Sequence, residues 1–195
     1  MIAVFNQEEL VVRALDSIPR RNDIEVICVD DGSTDNSLAV LQKYQLDHPE
    51  LNMNIIHQEN KGLGAVKNLC YSIFNGEYFY QLDNDDYLYT KEFEKAMEYL
   101  DGTDMVYVDL RINDGRILAL NEKSKNTLVA GTTRFIRRGF LGEHRTREDI
   151  WDEDLYFNNL LQKIPHTEKF TGLIVYHYNF PRVGSMFWNA VKGKT

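Results

Sequence analysis

Short apolar runs alternate with segments of helical period from the start of the chain to Asp86. The apolar runs read, in order, MIAVF, IEVICVD, MNIIHQ and EYFYQLD. The segments between them read EELVVRALDSI, TDNSLAVLQKYQ and GLGAVKNLCYSIF. Parallel strands need a crossover connection, and each of these segments has the length and period of a helix. The alternation therefore predicts an α/β fold with a Rossmann-like, mostly parallel sheet flanked by helices.

The pattern is less regular after Asp86. Two segments predict helices, EFEKAMEYL and DEDLYFNNLLQKI. Three predict strands, DMVYVDLRI, RILALNEK and LIVYHYNF, with a turn at Asn113, Asp114 and Gly115 between the first two. Residues 126–149 mix glycine, threonine and charged residues without a clean period, and we expect loops there.

Composition excludes several classes of protein. The formal net charge of −8 disfavours nucleic acid, because a polyanion is bound by a broad basic surface. Cys28 and Cys70 lack the CxxC spacing and nearby histidines of a zinc site, and they predict buried, reduced thiols. No apolar run approaches the roughly 18 to 20 residues of a membrane span, and no signal sequence is evident. We therefore expect a soluble cytoplasmic protein with no integral membrane segment.

Residues with binding chemistry follow each predicted strand of the first half. In open α/β sheets, ligands bind outside the carboxyl ends of the strands, near the point where strand order reverses. The residues that follow the four strands are Phe5 and Asn6, Asp30 and Asp31, Asn60 and Lys61, and Asp83 to Asp86. An aromatic ring, carboxylates, a cation and an acidic cluster at one edge predict a site for a nucleoside diphosphate with a divalent ion.

The stretch LDNDD places three carboxylates, Asp83, Asp85 and Asp86, within four positions. Their mutual repulsion is unfavourable unless a positive charge lies among them. A single acidic triplet after a strand is more often a solvated turn or a helix cap than a metal site. Its place as the fourth element of the series favours a metal ion and a nucleotide.

The motifs together resemble the glycosyltransferase family 2 enzymes of GT-A fold. In that family a YN turn, a VDDGSTD turn, an NxGxxxARN helix start, a DxDD cluster and a late ED pair occur in this order. The stretches here read VFNQEE, VDDGSTDNS, NKGLGAVKN, LDNDD and IWDEDLYFN, and YHYNFPRVGS resembles the closing motif. The resemblance covers residues 1–185.

The resemblance implies a role for each matched residue. Phe5 stacks on the nucleotide base, Asp31 accepts the imide N–H of uracil, and Asp83 contacts the ribose. Asp85 holds Mn²⁺ or Mg²⁺, which bridges the two phosphates as a Lewis acid. The full set implied for nucleotide-sugar binding is Phe5, Asn6, Glu8, Asp31, Lys61, Asp83 and Asn84.

Three further residues have open roles. Lys61 and Lys67 are either phosphate contacts or solvated helix charges, and at Lys67 the family prefers arginine. His177 is either an ordinary strand histidine or, at the end of its strand, a third metal ligand or phosphate contact. Tyr178 and Ser185 match the closing motif, to which we give a structural role.

A carboxylate must accept the proton of the attacking hydroxyl, because a sugar alcohol is a poor nucleophile at neutral pH. By the family pattern this catalytic base is Asp154 of the Glu153–Asp154 pair at a predicted helix start. The neighbouring Glu148–Asp149 pair is a rival, as either a surface charge cluster or the true pair displaced. The sequence leaves both possibilities open.

The leading hypothesis is an inverting, metal-dependent glycosyltransferase. It would move a sugar from a nucleotide-diphosphate sugar, favoured as a UDP-sugar, to a hydroxyl acceptor in cell-surface polysaccharide or glycoconjugate synthesis. The alternatives are a catalytically silent GT-A-like module that binds a sugar or nucleotide and a nucleotidyltransferase. FNQEE lacks the glycine-rich, basic loop typical of the latter.

The resemblance also implies how the chain is divided. We expect one domain over residues 1–185, with the donor half at 1–100, the acceptor half with the base at 101–185, and a tail at 186–195. The acceptor would be a saccharide or a lipid-linked molecule, with possible contact to the inner face of the membrane. Five arginines of the acceptor half could form a basic face that binds an anionic acceptor, or they could simply be solvated. They are Arg134, Arg137, Arg138, Arg145 and Arg147.

Overall fold

The first three strands form a parallel sheet in the order of the chain. The computed structural model describes residues 1–127 and 130–180. Strand β1 (Ile2–Val4) pairs with β2 (Glu25–Asp31), which pairs with β3 (Asn52–Gln58). Helices α1 (Val11–Asp16) and α2 (Ser37–Asp47) make the two crossovers. The predicted βαβαβ order is confirmed.

The chain then crosses back to the other side of β1. After helix α3 (Leu63–Ile73) and the short strand β4 (Tyr78–Phe79), the backbone N–H of Leu82 donates to the carbonyl of Met1 at 3.0 Å. The amino group of Met1 donates to the carbonyl of Tyr80 at 2.7 Å. One residue bonded to both neighbours of Gln81 is the pattern of parallel strands. Strand order therefore reverses between β1 and residues 80–82, which makes this edge the expected ligand site.

A second, mixed sheet contains the remaining strands and joins the two halves of the chain. Its order is β4-β8-β6-β9-β5, with β7 paired to β6. Strands β6 and β9 run parallel, and the other pairs among the described strands are antiparallel. The strands are β5 (Tyr87–Leu88), β6 (Met105–Ile112), β7 (Ile117–Leu118), β8 (Arg134–Arg137) and β9 (Glu168–Tyr178). The helices of this half are α4 (Thr90–Met97), α5 (Arg138–Leu141) and α6 (Glu153–Leu161). A 3-10 turn spans Gly131–Thr133.

Several sequence predictions for this half were wrong in extent. The predicted fourth strand is regular for only two residues, and β7 covers two residues of a longer predicted strand. Strand β8 lies within the segment that was predicted as loops. The sequence did not predict it because two apolar residues between arginines are too few to show a period. Phe135 of β8 packs against Tyr80 at 4.5 Å and Phe93 at 5.2 Å between ring centroids. Tertiary packing, rather than local pattern, makes this segment a strand.

Aromatic packing joins α3 to α6 across the core. The ring of Tyr71 stacks on Phe157 with centroids 5.1 Å apart and meets Phe79 edge-on at 4.7 Å. This contact packs α6 against α3. Cys28 and Cys70 are buried and unpaired in the same core, as predicted. None of the described helices is long and apolar enough to cross a membrane.

Candidate active site

The turn after β1 is bound to the turn after β2. Asn6 lies in the left-handed region at φ 53°, which asparagine tolerates better than most residues. Its Oδ1 accepts the backbone N–H of Thr34 at 2.8 Å, and its own N–H donates to Ser33 Oγ at 3.0 Å. Glu8 Oε2 accepts the N–H of Asn36 at 2.8 Å. Asn6 and Glu8 thus hold the DDGSTD turn.

Phe5 precedes this turn and remains open to a ligand. Its side chain is 44% exposed, although the residue follows a buried strand at the reversal of strand order. An exposed phenyl ring at this position offers a flat apolar face.

Asp31 joins the end of β2 to the start of α3. Its Oδ1 accepts from Gln58 Nε2 at 2.7 Å and from the N–H of Lys61 at 2.9 Å, and its Oδ2 accepts from the N–H of Gly62 at 2.8 Å. A carboxylate has about four lone-pair sites, so three bonds leave room for one more donor. The Lys61 side chain itself is exposed beside this carboxylate.

The acidic loop, which we define as residues 83–86, lies at the switch in strand order. Asn84 Nδ2 donates to the carbonyl of Ala3 at 2.6 Å and ties the loop to β1. The backbone N–H of Asp83 donates to the hydroxyl of Tyr176 at 3.1 Å. The backbone carbonyl of Asp85 accepts from Arg13. The loop is therefore held through its backbone and through Asn84.

Two carboxylates of the acidic loop lie close together, with Asp86 buried and Asp83 half-buried. Burial, together with repulsion from Asp83 and Asp85, raises the pKa of Asp86 to about 8. Burial raises the pKa of Asp83 to about 6, although Gln81 and Lys67 oppose the shift. Ionising both groups is unfavourable unless a cation is close by.

Both carboxylate oxygens of Asp86 accept hydrogen bonds from within the protein. Its Oδ2 accepts from the hydroxyl of Tyr176 at 2.6 Å, and its Oδ1 accepts from the N–H of Asn179 at 2.7 Å. These bonds attach the acidic loop to the end of β9. Asp86 is thus a structural member of the loop.

The Glu153–Asp154 pair is held from α3 by Lys67. Lys67 Nζ lies 2.7 Å from Asp154 Oδ1 and 3.1 Å from Glu153 Oε1. Asp154 also lies within electrostatic range of Asp83. The structure therefore brings the predicted base to the acidic loop, at the same edge of the sheet.

The rival pair Glu148–Asp149 has a different environment. Asp149 is 69% exposed and forms a 2.6 Å ion pair with Arg147, whose guanidinium holds the pKa of Asp149 below its ordinary value. Glu148 Oε1 accepts from Asn68 Nδ2 at 2.8 Å. Glu148 thus fastens its segment to α3, whereas Asp149 pairs within the segment.

Gly131 lies against the side chains of both Gln81 and Asp154. A Cβ at this position would overlap Gln81 Oε1 and would lie 3.3 Å from Asp154 Oδ1. Gln81 Nε2 in turn donates to Asp83 Oδ1 at 2.8 Å. A larger residue at this position would therefore displace the end of the Gln81 side chain.

The start of α3 meets the segment before α6 at backbone distance. Asn68 Oδ1 accepts the N–H of Thr146 at 2.9 Å, and Asn68 Nδ2 donates to the carbonyl of Thr146 at 3.0 Å. A Cβ at Gly64 would overlap the carbonyl oxygen of Arg147 and lie 2.9 Å from the Cα of Glu148. One face of α3 thus positions the chain that leads to Glu153 and Asp154.

Replacing Gly64 with alanine is expected to lower the free energy of unfolding by about 1–3 kcal/mol, because the opposing atoms are backbone and cannot rotate away. Urea denaturation followed by circular dichroism measures the change. Gly139→Ala is the matched control, since its Cβ would make only ordinary contacts with the Arg137 side chain. Equal stability of the two variants would contradict the close approach of α3 to residues 147–148.

His177 lies apart from the acidic loop. Its ring stacks on Tyr87 at 4.3 Å, its Nδ1 is 3.1 Å from the hydroxyl of Tyr89, and its Nε2 is 2.9 Å from Asn113 Oδ1. Successive strand residues point to opposite faces, so Tyr176 reaches the loop and His177 faces away. Ligation of a metal by His177 would require the loss of one of these bonds.

The five arginines considered for a basic face have separate local environments. Arg134 is buried, and the others bind neighbouring groups: Arg137 binds Gly102 and Asp104, Arg138 binds Asn75, Arg145 binds Gly142 and His144, and Arg147 binds Asp149. The side chains are thus used within the domain. Ser185 and the tail at 186–195 lie outside the described residues.

The family model described as Glycosyl transferase family 2 matches residues 1–164 of the chain. The chain belongs to glycosyl transferase family 2. The matched range contains the DDGSTD turn, the acidic loop and the Glu153–Asp154 pair. Strand β9, which supplies Tyr176 to the acidic loop of this family 2 chain, follows it.

Curated relatives of this family 2 chain are mostly much longer. Chondroitin synthase of Escherichia coli is 38% identical over 89 residues, which are 45% of the chain and 13% of the relative. The poly(ribitol-phosphate) beta-glucosyltransferase of Bacillus spizizenii is 38% identical over 94 residues, 45% of the chain and 14% of the relative. The uncharacterized glycosyltransferase EpsJ of Bacillus subtilis is 28% identical over 181 residues, 80% of the chain and 52% of the relative.

Solved structures confirm the predicted GT-A fold. S. aureus TarS 1-349, in complex with UDP-GlcNAc, matches with a TM-score of 0.81 at 20% identity, over 94% of this family 2 chain and 58% of TarS 1-349. The mannosyltransferase PcManGT of Pyrobaculum calidifontis, in complex with GDP-Man and Mn²⁺, matches with a TM-score of 0.77 at 17% identity, over 99% and 59% of the two chains.

Proposed function

We propose that the chain is the catalytic domain of an inverting glycosyltransferase that transfers a sugar from a nucleotide-diphosphate sugar to a hydroxyl acceptor. One observation carries the proposal. Asp154, which is bound by Lys67, lies within electrostatic range of Asp83, which is bound by Gln81, at the switch in strand order. A metal-capable loop and a basic carboxylate at one edge are the two groups that such a transfer needs.

The donor site would lie between the ends of β1, β2 and the acidic loop. We propose that Phe5 stacks on the nucleotide base and that the remaining lone pair of Asp31 accepts an N–H of this base. Lys61 would contact the diphosphate. Asp83 would contact the ribose. Asn6, Glu8 and Asn84 support this site through the turn and loop contacts they make. The UDP-GlcNAc of the TarS structure supports a UDP-sugar as the donor. The GDP-Man of the PcManGT structure supports a GDP-sugar as the alternative.

The acidic loop fits a divalent cation such as Mn²⁺ or Mg²⁺. Within residues 1–127 and 130–180, no group of three His, Cys, Asp or Glu side chains converges to hold a metal by itself. Such ions are commonly held by one or two carboxylates together with substrate phosphates. Asp85 would supply the carboxylate, whose oxygens suit a hard cation. The bound ion would stabilise the charge of the departing diphosphate.

Asp154 is assigned as the base. Its side chain is 31% exposed, so an acceptor hydroxyl can approach it from the solvent side. It would accept the hydroxyl proton as the acceptor oxygen attacks the anomeric carbon opposite the diphosphate. The exposed ion pair of Asp149 favours Asp154 over its rival.

The acceptor half would bind a saccharide or lipid-linked hydroxyl. The chondroitin synthase and poly(ribitol-phosphate) glucosyltransferase among the relatives support a role in cell-surface polymer synthesis. We propose residues 1–100 as the donor half and 101–185 as the acceptor half of one domain, acting in the cytoplasm at the inner face of the membrane.

Calorimetry tests the proposal. We expect UDP to bind in the presence of Mn²⁺ and to bind at least about tenfold more weakly with EDTA, because the ion carries much of the diphosphate charge. A screen of UDP-, GDP- and dTDP-sugars, measured by released nucleotide, should then identify the donor. Metal-dependent binding without transfer or donor hydrolysis from any of these sugars would instead indicate a silent binding module.

A further inference from the structure

Lys67 is a buried cation between the two carboxylates at the start of α6. Only 1% of its side chain is exposed. An ammonium group in the protein interior is unfavourable unless it is paired, and Asp154 and Glu153 supply two partners. Burial lowers the pKa of Lys67, but attraction by these carboxylates outweighs burial and raises its pKa above the ordinary value. Lys67 is therefore positively charged at any pH where the protein would act.

The two carboxylates differ in their access to solvent. The Glu153 side chain is 8% exposed, whereas that of Asp154 is 31% exposed. The backbone carbonyl of Glu153 also accepts from Thr146 Oγ1 at 2.9 Å, which fixes the start of α6. Glu153 is thus an interior partner of Lys67, and Asp154 is the partner that an acceptor can reach.

Other ionisable groups face Asp154 from each element packed around it. They are Asp83 from the acidic loop, Tyr71 from α3 and Tyr178 from β9, and Arg134 from β8 acts on Tyr71. Asp83 and Glu153 carry the same charge as an ionised Asp154, whereas Lys67, in direct contact with Asp154, carries the opposite charge.

Resting on the proposed role of Asp154, we propose that Lys67 is a positioning residue that keeps this base ionised and oriented, while Glu153 keeps Lys67 paired during the reaction. In the transfer, the acceptor oxygen bonds to the anomeric carbon, its proton moves to Asp154, and the bond to the diphosphate breaks with its electron pair. Asp154 is then neutral. Lys67 still has Glu153 as a charged partner, whereas a single Lys–Asp pair would leave a buried ammonium unpaired at this stage.

Two substitutions should move the pH dependence of the reaction in opposite directions. Lys67→Met removes the cation, so the acidic limb of the kcat/KM profile should move to higher pH by about one unit or more. Glu153→Gln removes a like charge beside the base, so the same limb should move to lower pH. A purely structural role for either residue gives no such opposite shifts.

Further variants separate charge from shape. Lys67→Arg keeps the charge and should keep the limb near its parent position, while Lys67→Met should lower kcat by about tenfold or more because the base loses its orientation. UDP binding with Mn²⁺ should be unchanged in all three variants. Lys43→Met, on the exposed side of α2, is the matched control and should behave as the parent.

The inference is overturned if Lys67→Met and Glu153→Gln shift the limb in the same direction or leave it in place. It is also overturned if Lys67→Arg melts like the parent but shifts the limb as Lys67→Met does. If Lys67→Met does not fold, the other two variants still test the proposal. The acidic limb of the kcat/KM profile should move to lower pH in Glu153→Gln and stay near its parent position in Lys67→Arg. Parent turnover in Asp154→Asn would instead show that the proposed base is wrong.

Discussion

Replacing Asp154 with asparagine is expected to lower turnover by about 10²-fold or more while leaving UDP binding nearly intact. The amide has almost the shape of the carboxylate but cannot accept the proton of the acceptor hydroxyl. The buried ammonium of Lys67 keeps Glu153 as its partner at 3.1 Å, so the fold should survive the change. Steady-state release of nucleotide measures turnover, and calorimetry measures UDP affinity.

Asp149→Asn provides the matched control for this prediction. It makes the same chemical change in the rival carboxylate, which is exposed and paired with Arg147. We expect parent turnover from this variant. The reverse result, with Asp149→Asn inactive and Asp154→Asn active, would move the base to the Glu148–Asp149 pair.

Replacing Asp85 with asparagine is expected to abolish metal-dependent binding of UDP, because the loop loses the carboxylate assigned to the cation. The remaining aspartates should not compensate. Both oxygens of Asp86 already accept hydrogen bonds from Tyr176 and Asn179. One oxygen of Asp83 accepts from Gln81. Titration of UDP with and without Mn²⁺, by calorimetry, measures the loss.

Asp114→Asn is the control for the acidic loop. Asp114 lies in the turn between β6 and β7, where it pairs with Arg116 at 2.8 Å on the surface. Its replacement should leave metal-dependent binding of UDP at the parent level. Parent-level binding in Asp85→Asn as well would exclude this residue as a metal ligand.

The regular part of the chain was predictable because its physics is local. The short apolar runs of the strands and the period of 3.6 in the helices predict β1, β2, β3 and the helices between them. Ligand-binding residues at the carboxyl ends of these strands follow from the parallel order alone. The order of the motifs then predicted the GT-A fold that the solved structures confirm.

The burial of Lys67 could have been inferred from the sequence of α3, but its partners could not. It lies three positions after Gly64 and four before Tyr71, on the face of α3 that packs inward. This spacing contradicts a solvated lysine and indicates a buried partner. The partner itself, 86 and 87 positions away in Glu153 and Asp154, is not readable from the helix.

The sequence by itself determined the fold class, the strand ends that carry the acidic loop, and the two acidic pairs that compete as the base. Only the tertiary structure decided which pair lies beside Lys67, that His177 faces away from the loop, and that residues 134–137 form a strand. The physical reason is the distance along the chain over which each interaction acts. Periodicity and capping act within a few residues, whereas burial, ion pairing and strand pairing depend on chain segments that meet only after folding.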